Sequence, residues 1–235
     1  MERRTAIVTG GTGALGRVVS AAFINNGIRV AIPVRRESRN VPLPPELAGA
    51  GELLSTAVSD IATDTGAKAF VRGVADRFGT VDILFNAAGG YAGGEAIGEI
   101  SAATFEEMLS ANLRTAFLMC SEVLPLMRAA GRGRIISVAA MAALSPGKSR
   151  GAYAIAKRGV VTLTEAIAEE VKGTGITANA IAPGIIVTAD NRASMPSADI
   201  TRWVTPEEIA ALALFLCSDD ARSVSGNVLK VYGGV

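Results

Sequence analysis

The chain has 235 residues, 49% of them hydrophobic and 19% charged, enough apolar material to bury a sizeable core and too little charge for global disorder. Net charge is +1, from 23 Lys and Arg against 22 Asp and Glu, so neither a nucleic acid nor a membrane surface is the expected partner; a small molecule is. There is no histidine, which excludes Ser-His-Asp and Cys-His catalysis, His-based metal sites and any imidazole proton carrier.

The first strand is expected at TAIVT, directly followed by Thr9-Gly10-Gly11-Thr12-Gly13-Ala14-Leu15-Gly16 and a helix from about 14 to 26. Strand, glycine turn and helix in that order form a dinucleotide cradle: Gly10, Gly11, Gly13 and Gly16, with Leu15 between them, let backbone approach a pyrophosphate at the helix N-terminus. The apolar run before the glycines is too short for a signal peptide or a membrane span, so a soluble, cytoplasmic protein is expected. RVAIPV is the second strand. Where an acidic residue would hold the ribose of NAD, the chain has Val34, Arg35 and Arg36, and two guanidiniums favour the 2′-phosphate of NADP (NADPH) over NAD. Residues 35–51 carry prolines and read as a functional loop.

ELLSTAV, VDILFN, RIISV, ITANAI and NVLKVY are the remaining strands, separated by helical runs at about 60–78, 101–130, 151–173 and 206–217. This alternation predicts one α/β Rossmann domain over 1–235, a doubly wound, mostly parallel seven-stranded sheet with helices on both faces. Residues 185–204 are expected to form a substrate loop or lid. Cys120 and Cys217 lie in apolar runs and read as buried thiols rather than a disulfide, and no metal site is expected.

Tyr153 and Lys157 lie four apart at the start of a helical run and so project from one face. A phenol is a weak acid at neutral pH, and a neighbouring ammonium is expected to bring its pKa down toward the working range.

With Asn86-Ala87-Ala88-Gly89, Asn112 in ANLRTAF and Pro183-Gly184 in order along the chain, these motifs resemble the short-chain dehydrogenase/reductase family. The resemblance implies an NAD(P)H-dependent oxidoreductase with Tyr153 as acid/base, Lys157 tuning it and binding the nicotinamide ribose, and Asn112 supporting a proton relay. It also implies cofactor contacts from Asn86, Ala87, Gly89, Pro183, Gly184, Ile186 and Thr188, with Val58 near the adenine, and a homotetramer or homodimer built through the helices at 101–130 and 151–173. The chain departs from the family in two places that carry information. The glycine turn has Ala14 beside Gly13, and the family's catalytic serine, the donor to a substrate carbonyl, falls on Ala140. Losing such a donor costs about 10²- to 10³-fold, so either the substrate does not need it or Ser137, Ser145 or Ser149 replaces it.

Gly89-Gly90-Tyr91-Ala92-Gly93-Gly94 and the run from Asn191 through Met195 and Pro196 to Trp203 look like the dihydropteridine reductases, a branch that also has alanine at the serine position. A quinonoid dihydropterin takes hydride readily and is protonated on nitrogen. Tyr91 is placed to stack on such a ring, and Met195 and Trp203 are candidate lid residues. The rival reading is a 3-oxoacyl or other ketone reductase with a replaced serine. From another class, an NADPH-binding sensor or scaffold remains, although a pure binder has no need of the Tyr153 and Lys157 pair.

Overall fold

All five residues of β1 (Thr5–Thr9) are buried, because helices cover both faces of the strand. Ala6 and Val8 pack on one side with Phe23 and Ala213, whereas Ile7 packs on the other with Phe70, Met119 and Ile167. The computed structural model describes residues 3–35 and 42–234, and throughout it this two-sided burial explains why the central strands read as apolar runs rather than as alternating patterns.

The chain continues through α1 (Ala14–Asn25), β2 (Arg29–Val34), β3 (Leu54–Val58), α2 (Asp64–Phe78) and β4 (Ile83–Asn86). Then come α3 (Ala102–Met108), a π-helical turn (Leu109–Arg114), α4 (Thr115–Ala130), β5 (Gly133–Val138), α5 (Met141–Leu144) and α6 (Gly151–Glu170). β6 (Ile176–Pro183), α7 (Ala189–Ser194), α8 (Pro206–Cys217) and β7 (Val228–Val231) complete it. The strands form one sheet in the order β3-β2-β1-β4-β5-β6-β7, and every pair is parallel. The strand order reverses between β1 and β4, so the connections leave those two strands toward opposite ends of the sheet and open a crevice at their carboxyl ends.

Local signals set the helix ends. Thr63, Ser101 and Thr205 cap α2, α3 and α8, the last with a reciprocal capping box through Glu208. Gly79 and Gly131 end α2 and α4 in the left-handed conformation. The single helix expected over 101–130 is divided by the π turn, and β3 begins at Leu54 rather than Glu52 because Gly51–Leu53 winds into a 3-10 turn. Both cysteines are buried and unpaired, and burial pushes each thiol up to about 12. Among the described residues no helix is long and apolar enough to cross a membrane.

Asp82 anchors the end of the sheet opposite the crevice. Its buried carboxylate accepts the Thr5 N–H (2.8 Å) and Arg132 Nε (2.9 Å), joining the entry of β1 to the turn after α4. Asp82→Ala removes the buried acceptor of the Thr5 N–H and is expected to cost about 1–3 kcal/mol, with Asp82→Asn costing less; urea denaturation measures this. A loss below about 0.5 kcal/mol for Asp82→Ala would contradict the anchoring role.

Candidate active site

At the crevice, Gly10 takes a left-handed φ of 66°, and a Cβ there would stand 3.0 Å from the carbonyl oxygen of Ala87 and the nitrogen of Ala88. A Cβ on Gly16 would run into the Gly10 carbonyl, so the turn closes tightly on α1 only with glycine at both positions. Gly13 is the extended residue before α1, and no side chain caps that helix; its first N–H groups point into a cleft of about 720 Å³. An uncapped helix N-terminus, a glycine cradle and this volume fit the pyrophosphate of a dinucleotide. Thr9 holds the opposite wall, because its Oγ1 accepts from both Ala87 N (3.1 Å) and Ala88 N (3.0 Å).

Gly10, Gly13, Leu15, Gly16, Arg35, Ala87 and Gly89 all line this cleft. Gly11 does not: its α-carbon packs on Ile32, whose Cγ1 would be 2.7 Å from a Cβ, so the residue serves close packing rather than the cleft. Asn86 is likewise buried below it, with Nδ2 donating to Ser137 Oγ (3.3 Å) and Cys120 Sγ (3.4 Å). Val58, 44% exposed on the edge strand, stands beside the cleft, which is walled there by Ser59, Asp60, Ile61 and Ala62. Arg36 lies outside the described residues. Ser110, Ala111 and Thr115 also line the cleft and escaped the sequence reading; their signal was helical spacing around Asn112.

Toward β5, two side chains converge on Gly89. A Cβ at Gly89 would lie 2.5 Å from Asn112 Oδ1, so glycine is required for Asn112 to approach the backbone here, while Lys157 Nζ would stand at an ordinary contact distance of 3.5 Å. Asn112 sits in the π turn, where its Oδ1 accepts from Gly90 N (3.3 Å) and its Nδ2 donates to the carbonyls of Gly90 (3.1 Å) and Met108 (3.0 Å). Lys157 is buried and donates from Nζ to the Val138 carbonyl (2.8 Å).

Tyr153 packs against Ala140, Ala142 and Ala154, with Lys157 Nζ 5.9 Å from its ring centroid and the Tyr91 ring edge-on at 5.1 Å. Its phenol is pushed up to about 12, chiefly by burial and further by Tyr91, with Arg150 opposing. The expected lowering by Lys157 is therefore not what the geometry gives: the ammonium is bound to the Val138 carbonyl, and burial holds Lys157 itself down at about 8. Desolvation is the largest influence on both groups.

Ala140 is 8% exposed and precedes α5 in an extended conformation, so a methyl, not a hydroxyl, faces Tyr153. Ser137 is buried on β5 with its hydroxyl bonded to Asn86, while Ser145 and Ser149 are exposed in the loop after α5. Pro183 ends β6 and Gly184 follows it, its N–H donating to the Val231 carbonyl (2.8 Å). Beyond them the chain arches out and returns: Val187 N donates to Val204 (2.8 Å) and Val204 N to Ile185 (2.9 Å), with Ile186 bridged to Val204. Thr188 caps α7 and Met195 ends it. Trp203, expected on a lid, is instead 5% exposed in the neck of this arch, because it precedes the bridged Val204. Pro183 at the carboxyl end of β6, and Gly184, Ile186 and Thr188 beyond it, are thus not in the walls of the 720 Å³ cleft. Among the described residues no three His, Cys, Asp or Glu side chains are grouped to hold a metal ion.

The short chain dehydrogenase family model matches residues 4–198. Levodione reductase of Leifsonia aquatica is 33% identical over 250 residues, covering 98% of this chain and 93% of its own. The 3-oxoacyl-(acyl-carrier-protein) reductase of Chlamydia pneumoniae is 32% identical over 240 residues, covering 99% and 96%. Among solved structures, a variant of actinorhodin polyketide ketoreductase with NADPH superimposes with a TM-score of 0.91 at 29% identity, covering 99% of this chain and 97% of that one. The glycine cradle, the reversed strand order and these relatives agree, and the chain belongs to the short-chain dehydrogenase/reductase family of oxidoreductases.

Proposed function

We propose that the chain is an NADPH-dependent reductase of a small conjugated acceptor, pterin-like or quinonoid, with Tyr153 as proton donor. The observation that carries the reading is the methyl of Ala140 against Tyr153, with Ser137 already bonded to Asn86. A ketone needs a second donor to hold its developing oxyanion, whereas an electron-poor C=N of a conjugated ring is protonated on nitrogen and does not. Arg35 at the mouth of the cleft, with Arg36 next in sequence, supports NADP over NAD.

NADPH bound in this cleft supplies the hydride. Tyr153 supplies the accompanying proton from its phenol, which stays protonated through the neutral range. Lys157, while charged, stabilises the phenolate left behind, and Asn112 orders the Gly89–Gly90 backbone beside it. The arch at 185–204 acts as the substrate loop, with Met195 on its outer part and Trp203 as its buried footing. The exposed Phe117 on α4 and Ile155 on α6 support a homodimer or homotetramer through those helices.

The relatives' names favour a second reading, reduction of a ketone or 3-oxoacyl thioester. NADPH oxidation is measured with quinonoid dihydropterin and with a 3-oxoacyl ester, using wild type and Tyr153→Phe. Turnover of the pterin, lost by at least about 10²-fold in Tyr153→Phe, is the expected result. Turnover of the ester alone supports the second reading, and tight NADPH binding without turnover of either supports a sensor.

Two predictions follow from Lys157. Its charge is present below about 8 and is lost above, so kcat/KM for reduction is expected to fall about tenfold per pH unit beyond that point; a flat profile to pH ~10 contradicts this. Because its folded pKa lies below its ordinary value of 10.5, the buried charge destabilises the fold fully below about 8, and the penalty fades as pH rises from there. Lys157→Met is therefore expected to abolish activity while raising stability at pH 7 by about 1–3 kcal/mol, allowing for the lost bond to Val138; a lower Tm would contradict it.

A further inference from the structure

The loop at 90–94 is built around one exposed aromatic side chain. Tyr91 is 63% exposed, yet its ring stands edge-on to Tyr153 with centroids 5.1 Å apart and planes at 76°. Its outer end rests on Gly93: a Cβ there would overlap the Tyr91 hydroxyl, approach Cζ to 2.8 Å and meet the Ser149 carbonyl at 3.1 Å. The neighbouring Gly94, with φ 108°, donates its N–H to that same Ser149 carbonyl (2.8 Å). Ser149 has a φ of 57°, the left-handed region, in which it is the only non-glycine among the described residues. It lies two residues before α6, the helix that carries Tyr153. The 90–94 loop and the entry of α6 are thus tied at two points, the Gly94–Ser149 bond and the ring contact. On its other sides Tyr153 is held by Met108, Ala140, Ala152 and Ala154, while the charged groups near it are Lys157 and Arg150.

We propose that Tyr91 is a positioning residue for Tyr153, its ring, seated on Gly93, fixing the rotamer of the reacting phenol and shielding it from water. The proposal rests on the reading of Tyr153 as proton donor and assigns Tyr91 a role that does not require contact with substrate. The ring edge carries the effect, so Phe at 91 should serve and Ala should not. Ala at 93 should unseat the tyrosine without touching it chemically.

The test compares Tyr91→Phe, Tyr91→Ala, Gly93→Ala and Tyr153→Phe, each checked by circular dichroism and by NADPH binding. Tyr91→Ala and Gly93→Ala are expected to lower kcat by about 10- to 100-fold with unchanged NADPH affinity and little change in the acceptor KM, and Tyr91→Phe to stay within about twofold. Phenolate absorbance, taken as the difference from the Tyr153→Phe background, is expected to show Tyr153 titrating lower in Tyr91→Ala than in Tyr91→Phe, because water reaches the ring. An acceptor KM that rises while kcat and the Tyr153 titration stay put would make Tyr91 a substrate contact and overturn the proposal. An inactive Tyr153→Phe beside a fully active Tyr91→Ala overturns this proposal alone, whereas an active Tyr153→Phe overturns the functional reading and the proposal with it.

Discussion

One threonine hydroxyl sets the geometry on which the cleft depends. Thr9 ends β1, and its Oγ1 accepts the N–H groups of Ala87 and Ala88 at the end of β4, pinning together the two strands between which the sheet reverses its order. The pinned backbone passes close over Gly10, which admits no Cβ there, and continues to Gly89, which admits none against Asn112. The phosphate end and the catalytic end of the crevice are thereby referred to the same short stretch of β4 backbone. The β1–β4 ladder ends at the Thr9 and Asn86 pair, and the Thr9 hydroxyl extends its order to Ala87 and Ala88, where the chain passes from strand to cleft wall.

The catalytic end is costly to build. Lys157 is buried with one carbonyl partner, and Tyr153 is desolvated enough to hold its proton well above neutrality. Both shifts disfavour the charged forms that the chemistry needs, and their cause is the close packing of the alanine-rich α5 and α6 around the two side chains. Ala140 belongs to that packing. In place of a hydroxyl that would grip a carbonyl oxygen, the methyl closes the space beside Tyr153, and the proposed conjugated acceptor rests on that contact.

Much of the fold was legible because its signals are local. TAIVT, RVAIPV and the glycine turn gave β1, β2 and α1 nearly to the residue, since burial on both faces and the absence of side chains at the turn are written in consecutive positions. The π turn at Leu109–Arg114 was not legible, because SANLRT contains no helix breaker and the distortion coincides with bonds from Asn112 to Gly90, far away in sequence. The same limit explains the site. Tyr153 and Lys157 could be picked out by spacing, but the Lys157 bond to Val138 and the burial that overrides the expected lowering of Tyr153 depend on how α6 packs on β5. Gly11 and Asn86 matched the motif and yet face Ile32 and Ser137 rather than the cleft, because a motif records which residue types fit a backbone and not which of them reach the ligand.

The methyl at position 140 is the proposed mark of the acceptor class. The most direct measurement is the rate of NADPH oxidation by wild type and Ala140→Ser with a 3-oxoacyl ester and with quinonoid dihydropterin. The serine is expected to raise ester reduction by at least about tenfold from a low base and to leave pterin reduction within about threefold. Efficient ester reduction by the wild type, unchanged by the serine, would contradict it and show that another group already holds the carbonyl oxygen.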